Sequence, residues 1–119
     1  MMRHLLCLLC TVCLAVACSE PPNKELDRAQ GAIDAARAAG AERYAPASFT
    51  AATGALAEAH DAVNQRNYRL ALSLAVDAGE RAKAAAREAA DTRAAMIGEL
   101  ERTIAATTAA LKELESRHT

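Results

Sequence analysis

The stretch of sequence that decides the fold is YRLALSLAVDAGERAKAAAREAADTRAAMIGELERTIAATTAALKELESR, residues 68–117. It contains no proline and is rich in alanine, the residue with the highest helix propensity. Asp77 and Arg81 are four residues apart, as are Glu113 and Arg117, a spacing that brings opposite charges together on a helix. We therefore expect one continuous helix, about 75 Å long at 1.5 Å per residue.

A break in this helix is the competing interpretation. Gly98 and the Asp91-Thr92 pair lie in its second half, and a break there would let the last segment fold back as a fourth helix. Of the two interpretations, we expect the continuous helix.

Two shorter helices are predicted before it. The first covers about residues 24–39 and ends at Gly40, because glycine accepts the left-handed conformation that follows many helices. Tyr44-Ala45-Pro46 then forms a turn, and Pro46 begins a second helix that ends near Asn64. Asn67 is the expected N-cap of the long helix. The residues expected to be buried are Leu26, Ala29, Ile33 and Ala36 in the first helix, and Phe49, Ala52, Leu56, Ala59 and Val63 in the second.

Short connections make successive helices antiparallel neighbours. The predicted fold class is therefore all-α, with residues 24–90 forming an antiparallel three-helix bundle, or helical hairpin, and a long C-terminal helix. Alanine surfaces allow these helices to approach closely. The three aromatic residues, Tyr44, Phe49 and Tyr68, are expected to close the ends of the bundle, with a binding surface as the alternative.

Residues 91–119 are predicted to extend the third helix as a short coiled coil. Their apolar residues recur every three or four positions, as in a heptad seam, and Thr107 is the one polar interruption. The two short helices are too short to cover this extension, so we expect it to pair with a second copy of the chain or with another envelope protein. The predicted interaction stripe consists of Ile97, Leu100, Ile104, Leu111 and Leu114.

All four cysteines lie in the first eighteen residues, within LCLLCTVCLAVACSE at positions 6–20. The apolar run of residues 5–17 follows Arg3 and His4 and is shorter than the roughly 20 residues that a membrane span needs. It is typical of a signal peptide, which we assign to residues 1–17. Cys7, Cys10 and Cys13 are then small apolar residues of a removed segment, and no metal site is expected.

The residues Ala15-Val16-Ala17 before Cys18 resemble the lipobox of bacterial lipoproteins. This resemblance implies that Cys18 carries lipid and anchors the protein to a membrane, with residues 18–23 as a short tether. The absence of aspartate after the cysteine, where Ser19 stands, favours the outer membrane, facing the periplasm. The alternative is an ordinary secretory signal cut after Ala17, which would leave a free thiol.

Composition excludes several function classes. Removal of residues 1–17 leaves 13 Lys or Arg against 15 Asp or Glu, with both signs interspersed, so no nucleic-acid partner is expected. With Cys18 as the remaining cysteine, no disulfide forms within the chain. Asp61 follows His60 directly, but adjacent helical residues point about 100° apart and do not make a facing pair; His118 lies at the terminus. No catalytic or cofactor motif is found, and we expect no enzyme and no cofactor.

Residues 26–90 resemble a bacterial family of unknown function, DUF4398. The resemblance rests on three stretches of the chain: AIDAARAAGA at 32–41, Tyr44-Ala45-Pro46, and NYRLALSLAVDA at 67–78. It implies a small alanine-rich helical domain of the kind found on lipoproteins, with no established activity and no catalytic residues. Asn67 stands where the family favours glycine or aspartate.

The sequence thus predicts a membrane-anchored structural or adaptor protein that works through helix–helix contacts. The alternative is a carrier of a small apolar ligand or lipid, which would need a large cavity lined by bulky apolar side chains.

Overall fold

The protein, seen in a computed structural model, is described for residues 20–119. The predicted signal peptide, Cys18 and Ser19 lie outside the described residues. The described part is all-α, as the sequence predicts, and it ends in a very long helix. Its helices are α1 (Asn23–Ala38), α2 (Ala41–Tyr44), α3 (Pro46–Asn64) and α4 (Tyr68–His118).

Helix α4 is continuous over 51 residues, as expected, and the competing interpretation of a break is wrong. Asp91, Thr92 and Gly98 all lie inside the helix. The two predicted ion pairs are present and stabilise its surface: Arg81 Nε lies 2.7 Å from Asp77 Oδ2, and Arg117 Nη2 lies 2.9 Å from Glu113 Oε1. A single glycine costs a helix only about 1 kcal/mol, too little to break one of this length.

The connection after α1 depends on Gly40. Its φ of 86° is left-handed, and its amide donates to the Arg37 carbonyl oxygen at 2.9 Å, which ends α1 as predicted. The Gly40 carbonyl oxygen then accepts hydrogen bonds from the amides of Arg43 and Tyr44 at 3.1 and 2.9 Å. This second set of bonds forms the short helix α2, which the sequence analysis missed because it assigned only a turn before Pro46.

The connection between α3 and α4 is as tight. Arg66 adopts a φ of 58°, and the amide of Asn67 donates to the Ala62 carbonyl oxygen at 2.9 Å. The Asn67 side chain accepts a hydrogen bond from the Leu70 amide at 3.3 Å, so Asn67 is the N-cap of α4.

The order of contacts along α4 gives the direction of its neighbours. Ala29 of α1 approaches Gly79, and the carbonyl oxygen of Ala39, just after α1, accepts a hydrogen bond from Arg93 at 3.5 Å. Helix α1 therefore runs in the same direction as α4. Helix α3 runs in the opposite direction, because Ser48 near its start bonds to Glu88, whereas its last turns lie beside Leu70 and Leu74.

The core is made mainly of alanine. Helix α4 contributes six buried side chains, all of them alanine, and the largest fully buried side chain of the described residues is Ile33. The predicted buried face of α1 is confirmed in full. In α3, four of the five predicted residues are buried, but Val63 is only partly buried, and Ala55 and Ala62, which were not predicted, are buried as well. Phe49 is in the core, while Tyr44 and Tyr68 are half-buried at the ends of their helices. The six alanines of α4 are Ala71, Ala75, Ala78, Ala82, Ala85 and Ala89.

Candidate functional site

The second half of α4 carries a row of large apolar side chains that no other described residue covers. We call this row the α4 stripe. Its five large members are between 54 and 62 % exposed, and Ala89 is the last buried residue before it. The α4 stripe consists of Ile97, Leu100, Ile104, Thr107, Leu111 and Leu114.

The α4 stripe continues the buried face of the same helix. Leu100 follows Ala89 by 11 residues and Thr107 follows it by 18, which correspond to three and five helical turns of 3.6 residues. These positions therefore point in the direction that, earlier in α4, faces α1 and α3. The stripe faces the space beyond the point where α1 ends and α3 begins.

The polar interruption in the α4 stripe needs no outside partner. The Thr107 hydroxyl donates to the Thr103 carbonyl oxygen at 2.9 Å, within its own helix. A threonine bonded in this way presents its methyl group to a neighbour, and burying it leaves no unsatisfied hydroxyl. The two threonines beside the stripe are bonded in the same manner, Thr103 to Glu99 at 3.0 Å and Thr108 to Ile104 at 2.8 Å.

An apolar groove lies where the α4 stripe meets the end of α1–α3. It is lined by Tyr44, Arg93, Met96, Ile97 and Leu100. The Arg93 guanidinium carbon is 5.7 Å from the centre of the Tyr44 ring, a cation–π distance that holds the ring against α4. Met96 is 53 % exposed and widens the apolar surface at this end. Met96 lies one residue before the heptad seam, so heptad spacing does not predict it.

The grooves along the first half of α4 have a different character. The groove between α1 and α4 is lined by alanines and by the charged residues Glu25, Arg28, Glu80 and Lys83. The groove between α3 and α4 combines alanines with Glu58, Asp77 and Arg81. A smaller exposed apolar group that the sequence analysis did not single out, Leu70, Leu72 and Val76, lies near the start of α4.

The two histidines among the described residues do not form a site. His60 and Asp61 are exposed on α3, and His118 is exposed in the last turn of α4. Within residues 20–119, no group of three or more His, Cys, Asp or Glu side chains has a geometry that could hold a metal ion. Over the same residues, no helix is both long and apolar enough to span a membrane.

Comparison with known proteins identifies a family. The sequence pattern described as "Domain of unknown function (DUF4398)" matches residues 24–97. This chain belongs to the DUF4398 family. The DUF4398 match contains α1, α2 and α3 in nearly their full length, and it ends at Ile97, the first residue of the α4 stripe. The chain matches none of the curated proteins and none of the solved structures with which it was compared.

Proposed function

We propose that this DUF4398 protein is a lipid-anchored lipoprotein of the cell envelope that acts without catalysis, as an adaptor that binds another helix through the α4 stripe. The observation that carries the proposal is the row of exposed isoleucine and leucine side chains at heptad spacing along one face of α4. Contiguous apolar surface of this kind marks an interaction site, because leaving it in water is unfavourable.

Cys18 is the proposed anchor. The residues before it resemble a lipobox, and lipidation after removal of residues 1–17 would attach acyl chains to its thiol and to the new amino terminus. Each buried methylene contributes about 0.8 kcal/mol, so two or three chains hold a protein far more firmly than one. The four residues between Cys18 and Asn23 span at most about 18 Å, counting five Cα-to-Cα steps. The start of α1 therefore stays close to the membrane, for which we propose the periplasmic face of the outer membrane.

The helices of residues 24–90 act, in this proposal, as an antiparallel three-helix bundle that holds α4 in place. The order of the contacts along α4 supports this arrangement, since α1 runs parallel to α4 and α3 runs antiparallel to it. Close alanine packing makes such a bundle slim and rigid. The first turns of α1 lie beside Ala75 and Val76 of α4. Measured along α4 from these residues, the α4 stripe begins after about 30 Å and ends after about 60 Å.

The first experiment tests the anchor. Cells that express the native chain or Cys18→Ser are grown with a radioactive fatty acid, and the label is measured on the purified protein. We expect label on the native chain, recovered in the membrane fraction, and none on Cys18→Ser. Label that persists on Cys18→Ser, or a native chain without label, would show that the anchor is wrongly assigned.

The second experiment tests the stripe. A photoreactive amino acid replaces Leu100, in the α4 stripe, or Ala109, on the opposite face of the same helix. We expect a discrete protein adduct in intact cells from position 100 and none from position 109. Equal adducts from both faces, or none from position 100, would count against an adaptor that binds through this stripe.

A further inference from the structure

We infer that the partner of the α4 stripe is the α4 stripe of a second copy of this chain, paired antiparallel with Ile97 of each copy beside Leu114 of the other. The inference rests on the proposed function, because it names the occupant of the same surface. It goes further in fixing the kind of partner, its direction and its register.

The α4 stripe is complementary to itself when one copy is reversed. Placing Ile97 against Leu114 also places Leu100 against Leu111 and Ile104 against Thr107. The same three contacts repeat on the other side of the two-fold axis, so all six stripe positions meet a partner. In such an isologous interface each residue is used twice, which is the commonest way for two identical chains to associate.

Thr107 fits this register. In the antiparallel pair its methyl group packs against Ile104 of the other copy, and its hydroxyl keeps the bond to Thr103 within the helix. The polar interruption is therefore buried against an apolar side chain without loss of a hydrogen bond.

A parallel pair is excluded by the position of the bundle. The α4 stripe continues the face of α4 that packs against α1 and α3, so two stripes in parallel contact would bring both bundles to the same side. Paired helices lie 8–10 Å apart, and the space between the first halves of two such α4 helices would have to hold two copies of α1 and two of α3. In the antiparallel pair the bundles lie at opposite ends, and each stripe extends into open space beside the other.

In the antiparallel pair, the last turns of α4 from the second copy also cover the groove at the end of the bundle. In the proposed register, Leu114 of the second copy lies against Ile97, beside the ring of Tyr44 and the side chain of Met96. The stripe and the groove together then form one continuous apolar surface, covered by one partner helix.

The polar surface beside the stripe argues against a membrane as the occupant. Residues 97–118 carry four acidic side chains and three of arginine or lysine. Helices that lie on membrane surfaces have polar faces rich in Lys and Arg. In the antiparallel register no two acidic side chains face each other across the interface: Glu101 lies beside Thr108, and Glu115 beside Ala94.

The pairing also constrains the proposed anchors. The first turns of α1 lie beside Ala75 and Val76 in each copy, so the two chain starts are separated by roughly 90 Å along the paired rods. Both tethers reach one membrane when the pair lies along its surface.

Cysteine cross-linking of the full chain in intact cells tests direction and register together. In the register above, Thr103 of one copy flanks Ala110 of the other, and neither residue belongs to the α4 stripe. We expect Thr103→Cys/Ala110→Cys to give a covalent dimer with a short bifunctional thiol reagent, and each single variant to stay at the background of the parent chain. The matched control is Arg102→Cys/Ala109→Cys, which has the same spacing on the opposite face and should also stay at background.

Leu114→Cys distinguishes the alternatives. It should not cross-link to itself, because the two Leu114 side chains lie at opposite ends of an antiparallel pair; a Leu114→Cys dimer would overturn the inference in favour of a parallel pair. No dimer from Thr103→Cys/Ala110→Cys, together with an adduct of position 100 to a different protein, would refute self-pairing and leave the adaptor function standing. No dimer and no protein adduct, or an adduct to lipid alone, would refute both.

Discussion

The two halves of α4 carry side chains of different size on the same face. Between Ala71 and Ala89 every buried residue is alanine, and α1 and α3 cover the face. Between Ile97 and Leu114 five of the six residues of the α4 stripe are isoleucine or leucine, and no other described residue covers them. Small side chains let three helices close on one another, so the first half completes its packing within one chain. Large side chains need another surface to fill the space around them. Under the proposed function, the first half of α4 serves folding and the second half serves association.

Phe49→Ala tests most severely whether the first half depends on its few large residues. Phe49 is only 7 % exposed, and the surrounding core is mostly alanine, so little can move into the space that the ring leaves. We expect a loss of about 3 to 5 kcal/mol in the free energy of unfolding, measured by urea denaturation followed by circular dichroism. A loss within about 0.5 kcal/mol would show that the ring contributes no more than a surface residue.

Ala82→Leu tests the requirement for small side chains on the covered face. Ala82 is fully buried between helices, and three additional carbon atoms must push them apart. Overpacking of this kind costs about 1 to 3 kcal/mol, read from the same denaturation curves. Ala84→Leu, an exposed position on the same helix, is the matched control and should change stability by less than about 0.5 kcal/mol. If the two variants behaved alike, close alanine packing would not be what holds this half together.

Gly40→Ala tests the turn that ends α1 and leads the chain into α2. Alanine is strained at a φ of 86°, and its Cβ would lie 2.9 Å from Tyr44 Cδ2. We expect a loss of about 1 to 2 kcal/mol from the left-handed conformation, detected as a lower midpoint of thermal unfolding. Gly31→Ala in α1 meets no atom within 4 Å and should instead stabilise the protein by about 0.5 to 1 kcal/mol. Destabilisation by both substitutions would show that the backbone conformation is not the cause.

Much of the fold was predictable because its signals are local. Gly40, Pro46 and Asn67 act through the backbone of their own turn, and the structure confirms a role for each at a helix boundary. The buried face of α1 follows from spacing alone. In α3, spacing predicts Phe49, Ala52, Leu56 and Ala59 but misses Ala55 and Ala62, and it wrongly includes Val63, which is only partly buried. The short helix α2 was missed because it depends on the Gly40 carbonyl oxygen accepting two amides, which a pattern of side chains does not encode.

The candidate site was predictable in part. Heptad spacing alone identifies Ile97, Leu100, Ile104, Leu111 and Leu114, and the structure places all five on an exposed face. The groove with Tyr44 and Met96 was not predictable, because it forms only where α2 meets the side of α4, more than 50 residues away along the chain from Tyr44 to Met96. That contact depends on the course of the whole bundle.

Leu111→Ala has the smallest expected effect on the stability of a single chain. It tests directly whether the second half of α4 contributes to association rather than to folding. Leu111 is 62 % exposed, so its removal should change the unfolding free energy of dilute, monomeric protein by less than about 0.5 kcal/mol. At concentrations where light scattering detects the proposed dimer, the same change should shift the monomer–dimer equilibrium toward monomer, because Leu111 contacts Leu100 of the other copy in the proposed register. Ala109→Ser, on the opposite face, should leave that equilibrium unchanged. A stability loss in the monomer as large as that of Phe49→Ala would mean that residue 111 packs within its own chain, and the division of α4 into a folding half and an association half would fail.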